Sequence, residues 1–191
     1  HMTAIARIST LVVVGLCASL SQAKQPTRQQ AIDQMKPYAG RHVRGVDTST
    51  MHRKVMCGYQ GWFAAEGDGA SMGWFHYSKR GRFMPGQCSI DLWPDMSELD
   101  ADEKFATTFK HKNGSVASVF SSQNRKTVVR HFKWMKDHGI DGVFLQRFGA
   151  TIRSDRGLAA RTVVTANIQA GANLHGRTWA MMYDLSGLRT G

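Results

Sequence analysis

Residues 123–184 read QNRKTVVRHFKWMKDHGIDGVFLQRFGATIRSDRGLAARTVVTANIQAGANLHGRTWAMMYD, and the reading of this stretch decides the fold. Val128, Phe132 and Met135 fall at i, i+4 and i+7, which predicts a helix over 123–138, capped by Ser121 or Ser122 and ended by Gly139. Residues 141–148 (DGVFLQRF) then read as a fully apolar strand running into a polar tip. A second helix is expected over 156–174, where Leu158, Val163, Val164, Ala166, Ile168 and Ala170 are apolar and His175-Gly176 stops it. Residues 178–184 (TWAMMYD) form the next strand, before Ser186-Gly187.

Upstream, residues 54–63 (KVMCGYQGWF) are a strand candidate, with Val55, Cys57 and Tyr59 alternating. A glycine-rich insertion follows from 64 to 122, with turn signals at Gly67-Asp68-Gly69 and Asn113-Gly114 and strand-like runs at 73–77 and 116–120. The order is strand, insertion, helix, strand, helix, strand, which means parallel strands covered on both faces. An open doubly wound sheet and a closed (β/α)8 barrel both use that order. The dinucleotide glycine fingerprint follows none of the strands, which favours the barrel. Expected, therefore, is an α/β chain forming the N-terminal part of a TIM-type barrel, with about three parallel strands and a long insertion after the first. A barrel takes about 250 residues. Only three strands fit before Gly191, so the chain is expected to be the front of a longer protein.

The ends and the charge narrow the class. Residues 1–23 carry Arg7 as their only formal charge, an apolar run from Leu11 to Leu20, and small Ser21 and Ala23 at the −3 and −1 positions of a cleavage site. This is the pattern of a secretory signal, which predicts a secreted or periplasmic protein with no membrane segment after cleavage. Residues 24–50 read as a polar leader, with one helical turn over 31–35, and residues 51–191 as the barrel portion. With 25 Lys+Arg against 14 Asp+Glu the net charge is +11. The basic residues are scattered, and the densest group (Arg125, Lys126, Arg130, Lys133, Lys136) has helical spacing, so no nucleic-acid partner is expected. Five Trp, nine Phe and four Tyr exclude a disordered chain. Beyond the signal two cysteines remain, Cys57 and Cys88; in an oxidising compartment they either form one loop-closing disulfide or stay as free thiols.

Polar and aromatic residues collect at the strand tips, where a barrel builds its active face. Tyr59, Gln60 and Trp62 stand at the first tip, Gln146-Arg147-Phe148 at the second, and Tyr183-Asp184 at the third. Phe63, Trp74, Phe75, His76, Tyr77 and Trp93 add aromatic faces and a histidine from the insertion, a set suited to stacking sugar rings or to a small core of its own. Asp184 and Arg147 either meet a ligand, cap local structure or pair with one another. Asp91, Asp95 and Glu98 are the nearest thing to a glycosidase carboxylate pair, although Asp95 and Glu98 read better as a helix cap and its box partner. No metal site is expected, because His131 and His138 lie seven apart and no His-Glu-x-x-His occurs. No Gly-x-Ser-x-Gly elbow is present either, and no cofactor is called for.

Several strings carry a family resemblance: VMCGYQGWF (55–63), GWFH (73–76), DLWPDM (91–96), VFSS (119–122), HFKWM (131–135), 139–148 and MYDLSG (182–187). They resemble secreted bacterial proteins labelled xylosidase/arabinosidase, related to glycoside hydrolase families 99 and 71, the endo-α-mannosidase-like and α-1,3-glucanase-like barrels. The resemblance runs from about Met51 to Gly191. It implies a barrel acting on glycosidic bonds, with Tyr59, Trp62 and His76 lining sugar subsites and Asp184 facing substrate. It also implies catalytic glutamates on a later strand, beyond Gly191, and a substrate 2-hydroxyl serving as internal nucleophile. A non-catalytic carbohydrate-binding protein is the alternative, and a basic module for acidic polymers a third reading.

Overall fold

The computed structural model describes residues 26–188; the secretory signal expected over 1–23 lies outside the described residues. The elements are α1 (Arg28–Asp33), β1 (Met56–Tyr59), β2 (Phe105–Lys110), β3 (Val116–Val119), α2 (Arg125–Asp137), β4 (Gly142–Phe148), α3 (Asp155–His175) and β5 (Thr178–Asp184). The protein is a mixed α/β chain with a three-strand parallel sheet, ordered β1-β4-β5, and a separate antiparallel hairpin, β2-β3. No closed barrel is formed among the described residues.

The alternation of β4 sorts the sheet into two faces. Val143, Leu145 and Arg147 are buried, whereas Phe144, Gln146 and Phe148 are only partly covered. Parallel register carries the same sorting to Cys57 and Tyr59 on β1 and to Trp179, Met181 and Tyr183 on β5. Val128 and Phe132 of α2 and Val164, Ile168 and Ala172 of α3 pack on that inner face with Val143 and Leu145. Both crossover helices thus lie on one side. The expectation of helices on both faces is corrected: the side with Gly58, Phe144, Ala180 and Met182 has no helix over it among the described residues, and Gly58, Ala180 and Met182 are exposed.

The caps correct the expected boundaries. Helix α2 starts two residues later than the periodicity suggested, because Asn124 is its cap and accepts from the Lys126 and Thr127 amides at 2.9 and 3.3 Å. Ser121 is buried and spends its hydroxyl on Asp68 at 2.6 Å instead. Helix α3 is capped by Ser154 and closed by Gly176 in the left-handed conformation. The segment after α1 forms a strap along α3: Val43 N–H donates to Asn173 O at 2.8 Å, and Val46 N–H to Gly176 O at 3.0 Å. A Cβ at Gly45 would overlap the Gly176 carbonyl, so Gly45→Ala is expected to cost about 1–3 kcal/mol by overpacking. An unchanged melting temperature would show that the strap can lift off without loss.

The insertion has its own core. Tyr77, Phe83 and Val119 are buried there, with Phe63, Trp74, Trp93 and Phe109 packed around them. Trp93 stacks on Phe83 at 5.8 Å and its indole N–H donates to Ser118 O at 2.8 Å. The Asn113-Gly114 signal does make a turn, with Gly114 at φ 83°, but it joins β3 to β2, a strand absent from the expectation. The strand-like run at 73–77 is a turn, and the first strand is only four residues long. Both thiols are free, so the candidate disulfide does not form: Cys57 is in register with Val143 on β1, whereas Cys88 packs into the insertion core.

Candidate functional site

The C-terminal ends of the sheet strands and the start of the insertion meet in an aromatic stack. Gly61 sets it up, since a Cβ there would stand 2.6 Å from Val164 Cγ1, and its carbonyl accepts from Arg161 Nη1 at 2.9 Å. With Gly61 pressed on α3, Trp62 follows on a tight turn closed by its N–H to Gln60 O at 2.8 Å. The Trp62 ring stacks on His76 at 4.6 Å and 21°, and lies 5.2 Å from Phe148. His76 adopts φ 63°, a left-handed conformation costly for a non-glycine residue. Its carbonyl is held by the Ser89 hydroxyl at 2.6 Å, and its ring meets Phe75 edge-on at 4.5 Å. Burial, and secondly the Arg161 charge, push the His76 pKa below the usual histidine value, so the ring is neutral at pH 7.

Next to this stack stands a polar pair. Asp184 is in register with Phe148 and on the same face as Gln146, whose amide donates to Asp184 Oδ2 at 2.6 Å. Asp184 Oδ1 accepts from the Ser186 N–H at 2.8 Å. The Ser186 hydroxyl and amide, then the Gln146 amide, hold the carboxyl below the usual range, so it is ionised at neutral pH. It can accept hydrogen bonds from hydroxyls or take a proton; it does not have one to give.

The expected site residues divide accordingly. Trp62, His76 and Asp184 share this end of the sheet, and Gln60 is exposed beside Trp62. Trp74 is turned into the insertion core against Phe83, at 5.2 Å. Tyr59 faces the helices, where its hydroxyl meets His131 Nδ1 at 2.8 Å and burial raises its pKa. Arg147 is on the helix side as well, so pairing with Asp184 is ruled out by the alternation of the strand. Asp95 accepts from Ser97 N–H at 2.8 Å and Glu98 from the Trp134 indole at 2.9 Å, against α2; the capping box belongs instead to Asp100 and Glu103. Of the second strand tip, Gln146 and Phe148 face the site and Arg147 does not. Two-residue periodicity from buried Val143 and Leu145 was the signal: it sends Arg147 inward and its two neighbours outward.

Among the described residues, one group of three carboxylates could hold a metal ion: Asp100, Asp102 and Glu103. Lys126 and Arg130 already occupy it, with Lys126 at 2.6 Å from Asp100 and Arg130 at 2.6 Å from Glu103. No helix among the described residues is long and apolar enough to cross a membrane. Comparison with protein-family models, with curated proteins and with solved structures finds no match.

Proposed function

We propose that the C-terminal end of the sheet is a carbohydrate-binding face of an exported glycoside hydrolase-like protein of (β/α)8 type, acting on glycosidic bonds in the manner of the xylosidase/arabinosidase-labelled or endo-α-mannosidase-like proteins. The observation that carries the reading is the Trp62–His76 stack beside Phe148, next to an ionised, hydrogen-bonded Asp184. Flat aromatic faces take the axial C–H groups of a sugar, while a carboxylate and an amide pair its hydroxyls. Sequential strand order with both crossover helices on one face also suits continuation round a barrel, whose active face is this end of the strands. The chemistry needs no cofactor.

A second reading, binding without hydrolysis, is favoured by one feature. Asp184 is fixed in a turn by Ser186 and held deprotonated, which fits a hydrogen-bond acceptor better than a proton donor to a leaving group. Titrating neutral xylo-, arabino- and manno-oligosaccharides against tryptophan fluorescence, alongside a reducing-end assay, separates the two. Trp62→Ala is expected to weaken binding at least about tenfold, the scale of one lost aromatic platform. Unchanged affinity in that variant would remove Trp62 from the site.

A further inference from the structure

Arg147 sits on the opposite face of the sheet from the glycan reading, and its surroundings are unusual for a charge. The residue is 6% exposed, and its Nε and Nη2 are buried with no hydrogen-bond partner. Arg161, 7% exposed, gives one N–H to Gly61 O and lies over the Phe75 ring, 5.4 Å from its centroid. Neither arginine takes part in an ion pair among the described residues. A buried guanidinium without a counter-ion is expensive, and an unsatisfied buried donor points to a missing water, ion or ligand.

The space for one is present. Arg147 lines a cavity of about 390 Å³ between α3 and the segment following α1. Lys36 adds a second cation to the wall, Gln34 and Gln169 add amides, and Thr162 and Thr165 hydroxyls whose own protons are committed to Leu158 O and Arg161 O. No Asp or Glu lines it. Tyr183, the register partner of Arg147 on β5, brings a phenol, which favours the charged arginine but is outweighed by burial, and no carboxylate. A volume in this range suits a small organic ligand. We propose that this cavity is a binding site for a small ligand bearing an oxyanion, a carboxylate or a phosphate, held by Arg147 and Lys36. Arg147 supplies a fixed positive charge at the inner wall and the flexible Lys36 ammonium a point charge at the rim. Burial, as the leading cause, pulls the Arg147 pKa below the usual arginine value, the direction that a bound anion would reverse.

The test follows thermal unfolding and titration calorimetry of the full chain at constant ionic strength, with chloride replaced by phosphate, sulfate or acetate. A saturable stabilisation over chloride is expected, lost in Arg147→Met and at least threefold weaker in Lys36→Gln. A response to phosphate and sulfate alone assigns a dianion, and a response to acetate as well assigns a carboxylate-tolerant site. In chloride, Arg147→Met is expected to melt no lower than wild type, because an uncompensated buried charge is replaced by an apolar chain of similar length. Should that variant not fold, Lys36→Gln at the exposed rim carries the comparison. Equal stabilisation of wild type and both variants would be a general salt effect and would overturn the site, as would no response beyond chloride. Either result leaves the glycan reading, on the other face, untouched.

Discussion

Lowering the pH from 6.5 towards 4 is expected to remove on the order of 3 kcal/mol of folding stability through His131 alone, most of it before the pH reaches the usual carboxylate range. His131 projects from α2, accepts or donates at Nδ1 with the Tyr59 hydroxyl at 2.8 Å, and is flanked by Phe120 and Trp134. Burial pushes its pKa down to about 4; the Glu103 carboxylate opposes that shift and the Arg130 guanidinium adds to it. In the unfolded chain the imidazole protonates near 6.5, so between these values the unfolded state binds the extra proton. Stability therefore rises with pH across the window and is lost as pH falls through it. His131→Gln retains a partner for the Tyr59 hydroxyl but cannot titrate. Urea denaturation as a function of pH should show wild type losing stability from about 6.5 downwards and the variant staying nearly flat until the carboxylates protonate. Parallel curves for the two proteins would place the acid sensitivity elsewhere.

The largest effect of a single side chain is expected at Phe132. It is fully buried between α2, α3 and the sheet, and a Cβ added at Gly171 would stand 2.5 Å from its ring. That glycine lets α3 approach closely enough for the ring to fill the joint between the two helices. Phe132→Ala removes the ring and leaves a cavity that this close helix pair cannot fully collapse, at a cost of about 3–5 kcal/mol. Against the roughly 5–15 kcal/mol of a typical domain, such a loss approaches unfolding. Chemical denaturation, or soluble yield where the variant does not fold, measures it. A loss below about 1 kcal/mol would mean that α2 does not depend on this contact.

The same periodicity that identifies Phe132 made α2, β4, α3 and β5 legible in the sequence, with β5 matching at both ends and the helices shifted by one or two residues. Those shifts come from the caps, where Asn124 competes with two nearby serines for one role. The insertion was harder to read. Phe105, Thr107 and Phe109 alternate in the manner of a strand and pair with the short run just beyond the Asn113-Gly114 turn, a local hairpin signal that the glycine-rich surroundings obscure. The left-handed His76 is held by Ser89, thirteen residues away, and nothing local in GWFH announces that conformation.

At the candidate site, residue type was readable and direction only in part. Trp62 and Asp184 could be selected at strand tips and His76 in the aromatic insertion, and the structure gathers them at one end of the sheet. Tyr59 and Arg147 have equally suitable chemistry and point the other way, because in a strand the face is set by one residue of register. The buried neighbours Val143 and Leu145 carry the information that Arg147 is inward. Reading the tip as a polar cluster, without its phase, conceals it.

The carbohydrate reading is tested most directly by mapping where a bound oligosaccharide touches the protein. In proton–nitrogen NMR spectra of the chain titrated with the tightest-binding oligosaccharide, the Trp62 indole, the Gln146 side-chain amide and the backbone amides of His76, Phe148 and Asp184 are expected to shift together with one saturation curve. Shifts confined to the Trp93 and Trp134 indoles, or none at saturating sugar, would contradict the placement of a glycan on this end of the sheet.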